Sequence, residues 1–209
     1  AIQNLCHHHR ISVDIARTVE TVNATTKEAL EMCYHTFYHP SNMVLFVVGH
    51  IEPETMMQMI EENQNAKHFE KPQPITREKI VEPRTVAKQE TIQYMDVAMP
   101  KLTMAIKVDN VPDTPSEKLK RELSCNIILD YLFSKSGDLY EEWTKDGLIN
   151  DSFGGFFTQE RDYAFIQMGG DTFHVEELKK ALQALVGALP EKTLPKSDFE
   201  RLKRQNIGN

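Results

Sequence analysis

Ile149-Asn150-Asp151-Ser152-Phe153-Gly154-Gly155-Phe156-Phe157-Thr158-Gln159-Glu160-Arg161-Asp162-Tyr163-Ala164-Phe165-Ile166-Gln167-Met168-Gly169 holds two runs rich in aromatic and β-branched residues on either side of the polar segment Gln159 to Asp162. Such runs favour extended backbone, and the short polar break between them predicts a β-hairpin of strands 149–158 and 163–169. The glycine pairs Gly154-Gly155 and Gly169-Gly170 are expected to be bulges, since glycine inside a strand weakens regular pairing.

Working outward, helical signals flank this hairpin. Upstream, Thr114, Pro115 and Glu117 have capping-box spacing ahead of Leu119, Leu123, Ile127, Ile128, Tyr131 and Leu132, which recur at helical spacing. Ser136-Gly137 breaks that helix, a short one carrying Leu139, Tyr140 and Trp143 follows, and Gly147 stands where a left-handed C-terminal cap is expected. Downstream, Leu178, Leu182, Leu185 and Val186 line one face of a helix over 175–189 that Pro190 stops. Ser197 with Glu200 predicts a last helix through Leu202.

Further upstream, residues 87–97 and 102–108 are strand-like around Met99-Pro100-Lys101, predicting another hairpin. A strap rich in proline and charge over 65–86, with Pro72, Pro74 and Pro83, is read as an extended, hinge-like connection. Pro53 suits the first position of a helix carrying Met56, Met57 and Ile60, because its missing N–H would be unpaired there anyway. Thr25 and Glu28 predict a capped amphipathic helix with Leu30, Cys33, Tyr34, Phe37 and Tyr38. After His39-Pro40, the run Met43-Val44-Leu45-Phe46-Val47-Val48-Gly49 reads as a buried strand. Helices interleaved with antiparallel hairpins define an α+β fold: a two-layer antiparallel sheet covered by helices.

The composition excludes several functions. With 209 residues and 40% hydrophobic content, the chain can bury a substantial core. A net charge of -7, from 31 acidic against 24 basic residues, leaves no footprint for nucleic acid. No apolar run approaches the ~20 residues of a membrane-spanning helix. Cys6, Cys33 and Cys125 are odd in number and far apart, which implies a reduced, cytoplasmic setting with each thiol packed as a small apolar group. The start at Ala1 and the unfinished final helix suggest excision from a longer chain.

Little in the sequence offers chemistry. His7, His8 and His9 carry zinc-ligating groups, but consecutive side chains diverge on helix and strand alike, so no metal site is expected from them. Neither His-x-x-Glu-His nor His-Glu-x-x-His occurs, and phosphate-binding glycine loops and nucleophile elbows are absent. Asp109, Asp113, Asp138, Asp146 and Asp151 fall at turns and helix starts, where carboxylates satisfy free N–H groups. Tyr140 and Trp143, at i, i+3 spacing, are expected in the core.

Phe37-Tyr38-His39-Pro40-Ser41-Asn42-Met43 with the apolar run to Gly49, followed by Glu52-Pro53-Glu54, resembles the helix-to-strand passage of the insulinase (pitrilysin) family of inverzincin zinc peptidases. That family writes the passage as Tyr-x-Pro-x-Asn-Met, then apolar residues and Gly. Asp14 to Glu20 resembles the segment before that helix, except that Arg17 stands where glycine is usual. Ser136 to Phe153 resembles the family's Ser-Arg-Leu-Tyr element, and Phe199-Glu200-Arg201-Leu202-Lys203-Arg204 its last helix. The likeness is greatest to bacterial cytosolic members.

The resemblance implies the unit that follows the zinc-binding domain, with residues 1–24 connecting from that upstream catalytic domain and 25–209 forming the non-catalytic domain. It implies zinc in the upstream domain and none in this chain, no catalytic residue here, and no activity of this chain alone. The expected function is a substrate-enclosing domain of a zinc metalloendopeptidase acting on peptides. The alternatives are a domain of an inactive paralogue serving in assembly or peptide binding, and a separate metal module built on His7, His8 and His9. Implied partners are the upstream domain, a peptide substrate and a second copy in a homo-oligomer. In the substrate-binding copy of the second motif an arginine and a tyrosine contact peptide; here Thr144 and Asn150 occupy those positions. Strand 149–158 and the exposed sheet edge are expected to face the substrate chamber.

Overall fold

The structure is a computed structural model that describes all residues except Asp14, Arg17, Gln73, Lys79 and Asn209. The arginine that replaces a usual glycine at position 17 therefore lies outside the described residues. In chain order the elements are α1 (Ile2–Leu5), α2 (Val19–Asn23), α3 (Lys27–Phe37), α4 (Pro53–Asn65), β1 (Lys101–Val108), α5 (Pro115–Phe133), α6 (Asp138–Lys145), β2 (Gly154–Gln159), β3 (Ala164–Asp171), α7 (Val175–Ala188) and α8 (Lys196–Gly208). The chain divides into two units: residues 1–13 with 79–209, and residues 14–78.

The first unit is built on a three-stranded antiparallel sheet in the order β1-β3-β2. β2 and β3 form the hairpin that the sequence predicts, with Gln159 opposite Ala164. The side chains alternate across the sheet, as the period of two in a strand requires. Leu102, Met104, Ile106 and Val108 of β1, Ala164, Ile166 and Met168 of β3, and Phe157 of β2 belong to the main core. Helices complete that layer with Leu129, Leu132 and Phe133 from α5, Tyr140 and Trp143 from α6, and Leu178, Leu182 and Leu185 from α7. Phe153 joins α5 to α6: its ring meets those of Phe133 at 5.2 Å and Trp143 at 6.0 Å, both edge-on, a favourable geometry for aromatic pairs. On the opposite face Ala105 and Phe165 pack with Leu5 and Cys6 from the N-terminal segment.

Local chemistry explains the helix ends. Thr114 accepts the Glu117 N–H at 3.3 Å with Pro115 in the first turn, as the capping box predicts. Gly147 has φ of 67°, the left-handed conformation expected after α6. Two helix starts differ from expectation. α3 is capped by Thr26, which accepts the Ala29 N–H at 3.2 Å, rather than by Thr25, and Ser197 lies inside α8.

The glycine pairs are not bulges. Both ladders run without interruption, with Gly169 between Thr103 of β1 and Gly154 of β2. Glycine is present because the backbones meet closely: a Cβ on Gly169, whose φ is 149°, would lie 2.0 Å from the Leu102 carbonyl oxygen. A Cβ on Gly155 would come within 2.9 Å of the Phe133 ring. α5 can approach β2 closely for that reason.

Two strand expectations fail. Residues 87–97 form no strand, so no hairpin joins them to 102–108; Tyr94 is 95% exposed, and β1 pairs with the sequence-distant β3 instead. β1 and β3 present matching alternation to one core, which residues 87–97 do not. In the second unit the run 43–49 forms no strand, with Phe46 84% and Val48 97% exposed, rather than a buried central strand. A continuously apolar run needs cover on both faces to be a buried strand. Among the described residues of 14–78 none is buried, so α3 and α4 supply no such cover within that unit, and Cys33 on α3 is exposed rather than packed.

Gly169→Ala should destabilise the protein by roughly 3 kcal/mol or more, because backbone must move to admit the methyl. Gly154→Ala, where the added atom meets nothing within 4 Å, should cost less than about 1 kcal/mol. Urea denaturation of the two variants beside the wild type checks the contrast.

Candidate functional site

The positions that the family resemblance associates with peptide contact are taken up by internal bonding. Thr144 donates its hydroxyl to the Tyr140 carbonyl at 2.7 Å, one turn back on α6. Asn150 donates its amide to the Asp171 carbonyl at 2.9 Å and accepts the Ser152 N–H at 2.9 Å, fixing the entry to β2 against the end of β3. Tyr140 in turn donates its hydroxyl to the Asn150 carbonyl at 3.3 Å. These side chains brace the turn between α6 and β2. The carboxylates are structural too: Asp151 pairs with Lys135 at 2.9 Å, Asp109 with Arg84 at 3.7 Å, and Asp138 opens α6.

His7, His8 and His9 do not converge as ligands. The His7 and His8 rings are 6.0 Å apart and tilted. His9 is buried, its Nδ1 accepts the Ile11 N–H at 3.1 Å, and its Nε2 lies 3.3 Å from an Asp162 carboxylate oxygen. Among the described residues no group of three His, Cys, Asp or Glu side chains could hold a metal ion. The described donors thus bring no zinc site together.

The same tripeptide acts through its backbone. The N–H groups of His7, His8 and His9 all donate to the carboxylate of Glu82, His7 at 3.0 Å to Oε2 and the other two to Oε1. Lys107, on the α1 side of β1, donates its ammonium to Glu82 Oε2 at 3.1 Å, to the Leu5 carbonyl at 3.1 Å and to the Pro83 carbonyl at 2.7 Å. Both charged side chains are 12% exposed. Burial alone would raise the Glu82 pKa, but the bonds from His7, His8, Lys107 and His9 outweigh it and hold the group at about 2. The neighbouring Cys6 thiol is pushed up, first by burial and then by the Glu82 charge, so it is not a ready nucleophile.

Glu82 and Lys107 carry no signal as a motif. The legible clue is Lys107 itself, a lysine inside the apolar run of β1, since a buried ammonium requires a partner.

The sequence profile of the family described as Peptidase M16 inactive domain matches residues 24–206. The uncharacterized zinc protease YmfH of Bacillus subtilis (strain 168) is 38% identical over 207 residues, covering 99% of this chain and 48% of that protein. The crystal structure of an M16-like peptidase from Alicyclobacillus acidocaldarius superposes with a TM-score of 0.91 at 32% identity, covering 99% of this chain and 49% of the other. A protease from Helicobacter pylori shares the fold, with a TM-score of 0.77 at 15% identity over 99% of this chain and 49% of its own. The chain thus spans about half the length of these relatives.

A depressed carboxylate stabilises the fold above its ordinary pKa and loses that contribution as pH falls toward its folded value. Glu82→Gln should therefore cost about 2 kcal/mol at pH 7, after allowance for solvent screening, and the deficit should shrink between pH 4.5 and about 2 as wild-type Glu82 is protonated. Denaturant titrations of both proteins across that range measure the difference.

Proposed function

This chain belongs to the M16 peptidase family, in its inactive domain, and from that membership we propose that it is the non-catalytic, substrate-enclosing half of a zinc metalloendopeptidase acting on peptides. The observation that carries the reading is the match of residues 24–206 to the inactive domain, in a chain whose described residues bring together no metal-binding group. The metal then belongs to a partner catalytic domain of the same protein, in keeping with relatives about twice this length, one of which is named a zinc protease. A zinc unit that hydrolyses peptides needs walls that exclude bulk water and hold extended substrate. β2 is paired only with β3 among the described residues, so its other edge is available to an extended peptide, in support of a chamber-facing role for 149–158.

A second reading is favoured by Thr144 and Asn150. An arginine and a tyrosine would reach a peptide from those positions, whereas these two side chains brace their own turn. A parent whose role is assembly or peptide binding rather than cleavage accommodates that change. The cysteines Cys6, Cys33 and Cys125 are free, which accords with a cytoplasmic protein. Among the described residues no helix is long and apolar enough to cross a membrane.

Hydrolysis of a broad fluorogenic peptide library separates the readings. The full-length parent should cleave with zinc and stop with a chelator, while this chain alone with zinc should release no fluorescence. Cleavage by this chain would sink both readings, and a silent parent would select the second.

A further inference from the structure

We propose that the backbone N–H groups of His7, His8 and His9, together with the Lys107 ammonium, form a carboxylate-binding site whose resident ligand is the chain's own Glu82. Three consecutive N–H groups directed at one carboxylate make an anion-binding concavity, and an adjacent buried ammonium supplies the charge that makes each bond stronger than a neutral one. The donors precede the 3-10 turn at Arg10–Ser12 and belong to a segment fixed independently of Glu82. His9 is held by the Ile11 N–H, by Asp162 and by the edge of the Tyr163 ring at 5.0 Å, while Leu5 and Cys6 are buried against Phe165. The site is thus built by the sheet face and the N-terminal segment, and Glu82 fills it from the strap.

The placement gives the site a purpose. The chain leaves the first unit after Val13 and returns to it at 79, so the segment carrying His7 to His9 and the segment carrying Glu82 are its two crossings. Glu82 bonds the outgoing crossing directly. Lys107 bonds the returning crossing at Pro83 and the outgoing one at Leu5, tying both to β1. The carboxylate is a latch that keeps the two crossings together, and it can be replaced by a free carboxylate because every donor it uses lies outside its own segment. This assignment does not rest on the peptidase reading.

Hydrogen exchange in the full-length parent tests it. In the wild type at neutral pH the amides of His7, His8 and His9 should be protected, and their protection factors should fall together as pH drops from 5 to 2 while those of Ile166 and Met168 in β3 persist. Glu82→Ala should lower protection of the three amides at least tenfold, formate or acetate at tens of millimolar should restore it, and chloride at equal ionic strength should not. Adding Lys107→Met to Glu82→Ala should weaken the rescue at least tenfold. Unprotected amides in the wild type, protection independent of pH from 5 to 2, or a folded Glu82→Ala protein indifferent to formate and acetate would each overturn the proposal. If Glu82→Ala fails to fold, the wild-type acid profile decides.

Discussion

Strand β3 is bonded along both edges, and the larger unit depends on how closely its neighbours can approach it. At Gly169 the three backbones meet with no side chain on either glycine of the β2 pair, and at Gly170 a Cβ would come within 2.7 Å of the Phe153 backbone. That approach sets the position of Phe153, and Phe153 in turn seats the rings of Phe133 and Trp143. The helical layer is therefore registered on the sheet through one aromatic residue whose place is fixed by glycine. Close-packed interiors transmit such a constraint because they have few voids in which to absorb a shift.

The two faces of this sheet serve different ends. One meets α5, α6 and α7 across an apolar layer, which supplies the hydrophobic drive for the unit. The other meets a short N-terminal segment around Leu5, Cys6 and Phe165, too small a contact to rely on apolar burial alone. Directed polar bonds at Glu82 and Lys107 supplement it there. The residues of 14–78 present the opposite situation, with apolar side chains at helical spacing and an apolar run at 43–49, yet none buried among those described.

Legibility in the sequence followed the range of the interaction. The Gln159 to Asp162 turn, the Thr114 cap, Pro53 and Pro115 in first turns, and Gly147 at a left-handed cap all rest on bonds between residues a few positions apart, and all were readable. The core placement of Tyr140 and Trp143 followed from helical period. What depended on distant partners was not. The run 43–49 has the composition of a central strand, but a strand exists only with a neighbour, and composition does not name one. Residues 87–97 have strand-like composition, yet the partner of β1 is β3, more than fifty residues further along the chain. Glycines in strands read as bulges because the sequence does not show that Leu102 crosses at 169. The family motifs, by contrast, identified the domain because they record such long-range constraints as spelling.

The histidine triplet shows how an inventory of side chains can mislead. Three adjacent imidazoles suggest a metal, but what the fold uses is the property those residues share with most others, a backbone N–H. Once Lys107 is placed on the α1 face of β1, its ammonium must be paired, and a carboxylate alone would leave lone pairs unsatisfied in a half-dry setting. Three N–H groups from one stretch of backbone complete that carboxylate, which makes the ion pair affordable at 12% exposure. The cost of burying one lysine thus explains why a strap residue, a strand residue and the segment at 7–9 are drawn to one point. The effect of that point falls on how the chain is held.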